Sequence, residues 1–406
     1  MSEKMKDSGV DWIGEIPDGW EVTALKNVVQ IKNGREVEHD TSKGYPVYGS
    51  GGIFKYTDKY LYEGESVLLG RKGTIDNPQY ISGKFWTVDT SYYTITSEKL
   101  NTKLFYYQTL LFDYQFFQTG STLPSMTQRD LGSIKLPLPL PSKQVSIVNY
   151  LDKQTSKFDQ AQKLLKDEIE RLRAYKKSLI YETVTKGLDK NVQFKDSGVD
   201  WIGEIPEGWE VKRLKYVIEI KDGTHDTPEY VNEGIPLITS KNLNSEYNEI
   251  DFSTTKNISI LDSEKINKRS NVEQGDILMP MIGTVGGAVQ VKTDNIFSIK
   301  NVALFKTSND FELSGYLFYY LNSELTNLQF KHVMSGGVQS FVSLAILSEL
   351  KVVVPPREVL SKVVSHLDEK ANKINQIIKI KEQQLANLSE QRKTLIYEVV
   401  TGKRGI

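Results

Sequence analysis

Apolar residues return every seven positions at Leu151, Phe158, Leu165, Leu172 and Leu179, with lysine and glutamate on the other faces. Thr155, Ile169 and Thr183 partly fill the companion positions, and no glycine or proline interrupts the run from Ser142 to about Thr185. The alternating prolines of LPLPLP forbid helix up to Pro141, so Ser142 is the expected N-cap and Gly187 the expected stop. The pattern predicts one helix of about forty residues, roughly 60 Å long at about 1.5 Å per residue. A second seam follows VVVPPREVLSKVVSHLDEK. Leu367, Ala371, Ile374, Ile378, Leu385, Leu388, Leu395 and Val399 keep a three-four spacing, broken at Lys381 and Arg392 and stopped at Gly402. Helices this long with an apolar seam need a partner helix, and each is the natural partner of the other.

Before each helix the pattern changes. From about Leu25 to Leu138, short β-branched and aromatic runs (Val47-Tyr48, Ser66 to Leu69, Tyr80-Ile81, Phe85 to Val88, Tyr92 to Ile95) alternate with glycine turns. Leu104 to Gln118 has helical spacing. A second globular stretch runs from about Leu214 to Val354.

The chain also repeats itself. Lys6 to Val22, KDSGVDWIGEIPDGWEV, returns at Lys195 to Val211 with Asp18 replaced by Glu207. The offset of this arm is 189 (Asp196 minus Asp7), and that of the helices is 216 (Asp368 minus Asp152, Tyr397 minus Tyr181). The 27 extra residues therefore lie inside the second globular region. Beyond an echo of GRKGTI at Gly70 in IGTVGG at Ile282, the two globular stretches share little. The arm is too broken by Gly and Pro for a helix. Its Trp12, Ile13, Ile16, Trp20 and Val22 suit a clasp docked by tryptophans better than a ligand contact.

The predicted class is α+β: two mixed α/β globular domains separated by two long antiparallel coiled-coil helices, with a pseudo-two-fold internal repeat. Residues 1–141 form the arm and first globular domain, 142–187 the central helix, 188–356 the repeated arm and second domain, and 357–406 the last helix. A constant frame carrying two unlike heads suits two copies of one partner and a split, asymmetric target such as a bipartite DNA site.

Composition restricts the options. In 406 residues the formal net charge is −1, so no bulk electrostatic grip on nucleic acid is advertised. Without cysteine there is neither a disulfide framework nor a thiolate metal site. No signal peptide or membrane span is read, and a cytoplasmic location is expected. His39, His225, His332 and His366 are scattered without ligand spacing, so no metal is expected. Asn77-Pro78-Gln79-Tyr80 lacks the second proline of an amino-methyltransferase motif, and Gly49-Ser50-Gly51 is followed by no βαβ unit, so no catalysis is expected.

The arm SGVDWIGEIPEGW, the LPLP and VPP lead-ins, the Leu-Asp near each helix start and the Leu-Ile-Tyr-Glu endings resemble the specificity subunits of type I restriction–modification systems, over essentially the whole chain. The resemblance implies that each globular domain is a target recognition domain for one half of a bipartite double-stranded DNA site. It implies that the helices set the gap and dock two methyltransferase subunits. It places S-adenosylmethionine and adenine methylation in those partners, and ATP, Mg and cleavage in restriction subunits, with no cofactor in this chain. Partners closing around the duplex would share phosphate neutralisation. A coiled-coil scaffold joining two protein-binding domains stays open as the alternative.

Base edges are read by Arg, Lys, Asn, Gln, Ser and Thr. In the first domain the basic loop of Arg71, Lys72 and Thr74 is one candidate, with a solvated turn as the bland alternative. Ser121, Thr122, Ser125, Thr127, Gln128 and Arg129 form another. In the second domain the candidates are Thr224, His225 and Thr227, then Thr239, Ser240, Lys241 and Asn242, then Gln339 and Ser340 after Ser335-Gly336-Gly337. Tyr181 and Tyr397 near the helix ends are expected in packing rather than docking.

Overall fold

Each long seam forms one unbroken helix, Pro141–Lys186 and Arg357–Val400, in a computed structural model that describes residues 4–116, 118, 124–283, 286–334 and 341–406. The cap of the first lies two residues earlier than its sequence suggests. Lys143 and Gln144 both donate to the Leu140 carbonyl (2.8 and 3.2 Å), so Leu140 holds the capping position and Ser142 lies inside the helix. Pro141 is the first helical residue, where its missing N–H costs nothing and its fixed φ already suits a helix. Both helices end at glycines of positive φ, Gly187 (72°) and Gly402 (75°).

The chain divides into two units, Met1–Lys166 with Gln383–Ile406, and Asp167–Glu382. Each holds one globular region and a stretch of both helices. In the first unit Gln162 donates to Ser389 (3.0 Å) and Arg392 to Asp159 (3.1 Å). In the second, Lys176 donates to Asn375 (2.7 Å) and Lys381 pairs with Glu168. Partner numbers fall as residue numbers rise, so the helices run antiparallel within each unit. The two breaks in the second seam, Lys381 and Arg392, are thus cross-helix ion-pair positions.

The seam is filled differently from the heptad count. Leu151, Leu367, Ile374 and Leu395 are buried, but Phe158, Leu165, Leu172, Leu179 and Leu388 are half-buried. The companions Thr155, Ile169 and Thr183 are buried instead, and Ile169 packs with Ile374 and Ile378. A helix pair alone covers only one side of a long side chain, so the smaller and β-branched residues take the centre line.

The first unit's sheet has six strands in the order Val29–Asn33, Ser91–Thr96, Tyr62–Gly70, Gln79–Thr87, Tyr45–Gly49, Gly52–Thr57. Only Tyr45–Gly49 against Gln79–Thr87 is parallel. The second unit repeats the first part of this order in Glu219–Asp222, Val302–Lys306, Ile277–Pro280, Val289–Gln290. Its other four-stranded sheet again contains one parallel pair, Ile235–Ile238 with Ser298–Ile299. The helical spacing of Leu104 to Gln118 becomes a shorter helix, Thr102–Thr109, capped by the Asn101 side chain. Past its end the Thr109 carbonyl accepts from the Tyr114 hydroxyl (2.9 Å) and, in a tighter turn, from the Phe112 amide (3.4 Å).

The arms dock on helix ends. Ile13, Ile16 and Trp20 are buried with Leu395, Ile396, Val399 and Val400. In the second unit Val199, Ile202, Ile205 and Trp209 are buried with Ile180 and Val184. A side chain at Gly402 would fall 2.4 Å from Pro17 and 3.1 Å from Trp20, and one at Gly187 3.0 Å from Trp209, so each helix stop doubles as the arm's seat. Full burial of such a side chain contributes about 1.5–3 kcal/mol. The first tryptophan of each arm is not buried: Trp12 meets Phe112 edge-on at 6.3 Å, and Trp201 stays 36% exposed. Tyr397 packs as expected, its hydroxyl donating to the Ile13 carbonyl (3.2 Å).

Candidate nucleic-acid interface

The same four segments meet at one end of the sheet in each unit, and their backbone hydrogen bonds put the two halves in register. Gly34 donates to Ser91 in the first unit, and Gly223 to Val302 in the second, both at 3.1 Å. A Cβ at either glycine would lie 2.1 Å or 2.0 Å from a backbone carbonyl, Val88 or Ile299, so no other residue fits there. Arg71 donates to Thr90 and accepts from Met126; Met281 donates to Asn301 and accepts from Val342. Lys72 bridges Ser125 as Ile282 bridges Phe341. Gly73 and Gly283 turn with φ of 83° and 80°. The echo between GRKGTI and IGTVGG is therefore the same turn in both sheets.

The register locates the length difference. Gly223 minus Gly34 is 189, Met281 minus Arg71 is 210, and Val342 minus Met126 is 216. Twenty-one of the 27 extra residues thus fall between Gly223 and Met281 (210 minus 189).

In the first unit the two candidate loops are one surface, since Gly73 donates to Pro124 (2.9 Å) beside the Lys72–Ser125 bridge. Arg71 is held: its guanidinium donates to the Asp89 carbonyl (3.3 Å) and lies 5.9 Å from the centre of the Tyr92 ring. Lys72 is freer, half-exposed and 3.9 Å from the Asp89 carboxylate. Thr74 and Arg129 are exposed. Thr127 serves the fold as the N-cap of Gln128–Ser133, accepting from the Asp130 amide at 3.1 Å. Gln128 donates to Asn33 (3.1 Å), tying this loop to the Gly34 turn. Ser121 and Thr122 lie outside the described residues, as do Ser335, Gly336, Gly337, Gln339 and Ser340 in the second unit.

In the second unit His225 is clamped. Its Nε2 lies 2.9 Å from the buried Asp222 carboxylate and its Nδ1 2.9 Å from Asn301, a residue of positive φ. Asp222 also pairs with Arg269, and Lys300 reaches the Thr227 hydroxyl. Thr224 spans to the Asp226 carbonyl at 3.4 Å. The Thr239 loop joins this surface because Lys300 donates to Ile238 (2.9 Å). Within it, Asn242 is not a surface group. It is buried, its oxygen accepting from the Thr239 amide and hydroxyl (both 2.9 Å), and its nitrogen donating to Asp251 and Thr254 (both 3.3 Å). Thr239 and Asn242 form a capping box for the turn Ser240–Asn242. Ser240 is half-buried and Lys241 exposed.

Sequence reasoning overlooked Arg35, Arg269, Lys300 and Asn301. Arg35 is exposed directly after Gly34, at the place of Thr224. The signal was present: Ile31-Lys32-Asn33-Gly34 matches Ile220-Lys221-Asp222-Gly223 at the arm's offset of 189. Arg269 and Asn301 join the site only through tertiary contacts. Tyr80 of the Asn77-Pro78-Gln79-Tyr80 stretch belongs to a strand and donates to Glu65 (2.7 Å). Among the described residues no cluster of three or more His, Asp or Glu could hold a metal, and no helix is long and apolar enough to cross a membrane.

The family model of the type I restriction modification DNA specificity domain matches this chain twice, over residues 17–171 and 206–387. The chain is 24% identical over 413 residues to the type I restriction enzyme MjaVIII specificity subunit of Methanocaldococcus jannaschii, covering 96% of this chain and 93% of that protein. It is 21% identical over 399 residues to the EcoBI specificity subunit of Escherichia coli, covering 91% and 82%. Among solved structures, one from work on complex assembly and conformational transition of the type I R-M system shares the fold, with a TM-score of 0.64 at 14% identity over 95% of this chain and 98% of that one.

Proposed function

The chain belongs to the type I restriction–modification DNA specificity family, and from that membership we propose a division of labour in which each globular region reads one half of a bipartite, asymmetric DNA sequence. Its function is DNA sequence specificity, and a match to this family in both halves favours that over a protein-joining scaffold. One observation supports the division most directly: the specificity domain occurs twice, and the two loop sets, alike in backbone, differ in side chains. Arg71-Lys72 in one stands where Met281-Ile282 stands in the other.

In this reading the paired helices set the gap between half-sites and dock two methyltransferase subunits. Those partners bind S-adenosylmethionine and methylate adenine, while restriction subunits use ATP and Mg. This chain supplies no catalytic group, and the complex works in the cytoplasm. Lys72, Thr74, Ser125 and Arg129, with Arg35, face the first half-site. Thr224, His225, Thr227, Lys241, Lys300 and Arg269 face the second. The net charge of −1 leaves phosphate neutralisation to such local cations and to the partners.

The test is a double substitution, Lys72→Ala with Arg129→Ala, in the complex with its methyltransferase partner. Loss of base and phosphate contacts of about 1–3 kcal/mol is expected, read as binding about tenfold weaker or more. Mapping methylated adenines should show relaxed sequence at one half-site and an unchanged second half-site. Relaxation of both half-sites would refute the division.

A further inference from the structure

The extra residues of the second half contain a feature the proposed reading leaves unused. The short hairpin of Leu243–Asn244 and Glu249–Ile250 carries its tip, Ser245 to Asn248, onto both long helices within the second unit. The Glu246 carboxylate accepts from Arg173 of the first helix (2.8 and 3.4 Å). Arg173 also donates to Glu382 of the second helix (3.0 Å), whose other oxygen accepts from the Tyr247 hydroxyl (2.6 Å). The Glu246 carbonyl accepts from Lys176 (3.1 Å) and Asn375 (3.3 Å), which are themselves bonded across the helix pair. On the side of the globular region, the Asn248 side chain accepts from the Gln290 amide (2.7 Å) in the strand Val289–Gln290.

We propose that this hairpin is a strap fixing the angle between the second target-reading region and the helix pair, with Glu246 and Tyr247 as positioning residues that restrict which gap between half-sites is accepted. The inference rests on the specificity reading above. Its physical content is angular. One base pair more or less in the gap rotates a half-site by about 35° around the duplex and moves it about 3.4 Å. The region also reaches the helices through Tyr316, whose hydroxyl donates to the Val184 carbonyl (3.0 Å), and Tyr319, whose hydroxyl donates to Asp368 (2.6 Å). The hairpin adds a further point of attachment, and a surface held at more points follows that rotation less.

At the equivalent helix positions in the first unit, Arg392 meets the Tyr106 hydroxyl of the globular region instead of a hairpin carbonyl. Lys176 and Asn375 correspond, at the offset of 216, to Arg392 and Asp159, which pair directly at 3.1 Å. The lysine–asparagine pair turns its remaining donors to the hairpin carbonyl, where Arg392 divides its donors between Asp159 and the Tyr106 hydroxyl.

The experiment uses the complex with its methyltransferase subunits and a series of duplexes whose half-site gap varies one base pair at a time. Wild type should methylate one gap length. Glu246→Ala with Tyr247→Phe should methylate the neighbouring gaps as well, with discrimination reduced about tenfold and the bases at both half-sites unchanged. Glu246→Gln, which keeps an acceptor for Arg173, should restore most of the discrimination. An assembled double variant with wild-type gap selectivity overturns the proposal, and so does altered base choice at the second half-site. Should the double variant fail to assemble, Tyr247→Phe alone, losing one hydrogen bond, is judged by the same outcomes. A wild-type complex indifferent to the gap would instead overturn the specificity reading, and the strap with it.

Discussion

Ser66 and Asp276 hold corresponding places in their two sheets, 210 positions apart, and bond to the neighbouring segment by different means. Ser66 donates to the Thr94 carbonyl (2.8 Å) and accepts from the Thr94 amide (2.9 Å). Asp276, fully buried, accepts from the amides of Glu273 (2.9 Å), Thr307 and Ser308 (both 3.0 Å) and from Lys306 (2.6 Å). One half thus uses a neutral hydroxyl where the other uses a desolvated ion pair with three amide donors. Two copies of a frame can therefore diverge inside the core as well as in the loops, provided each buried polar group keeps its partners.

Breaking that pair of solutions gives the largest expected difference. Asp276→Ala leaves three amides without their acceptor and Lys306 with only Glu273 and the Asn271 carbonyl, and should cost about 3 kcal/mol. Ser66→Ala removes one hydroxyl and should cost about 1 kcal/mol. Urea unfolding of the two variants checks both, and equal losses would mean the two sites are energetically alike after all.

The turns before the exit strands should behave oppositely, as equals. Thr127 caps Gln128–Ser133 and Ser343 caps Leu344–Glu349, each accepting from the third amide of its helix. Alanine at either should cost about 1 kcal/mol of stability. For Thr127 this sharpens a question of role. If Thr127→Ala keeps its stability but weakens DNA binding at one half-site, the hydroxyl contacts DNA and the cap is incidental.

What the sequence revealed, and what it hid, follows the range of the interactions. The long helices were legible because a heptad seam, the lack of glycine and proline, and the stops at Gly187 and Gly402 are all local signals. The two seam breaks were visible as exceptions, although Asp159 and Glu168 could not be named as their partners. The arms were legible as tryptophan clasps, but not the helix end the first one grips, because that contact joins the first residues to the last, whereas the second arm folds back on the helix just before it. In the candidate site, the turn at Gly73 and its echo at Gly283 were readable. The clamp on His225 was not, since Asn301 lies 76 residues away. Asn242 drew the eye as a base reader, yet Thr-Ser-Lys-Asn also has capping-box spacing, and the buried amide follows that simpler local rule.

The smallest expected effect separates the strapped half from the other by pH. Tyr247 titrates above its ordinary value of 10, pushed up to about 12 by burial of the hydroxyl and by the Glu382 carboxylate that accepts its proton. A docked tyrosine with a raised pKa favours the neutral form, so the strap's contribution is complete below about pH 10. It declines as pH rises, because the released hairpin can ionise first, and it is gone above about pH 12. Tyr247→Phe has no hydroxyl to lose. The stability difference between wild type and Tyr247→Phe, measured by urea midpoints, should therefore shrink steadily between about pH 10 and 12. A difference that stays constant across that window would mean the Tyr247–Glu382 bond contributes nothing to holding the hairpin on the helices.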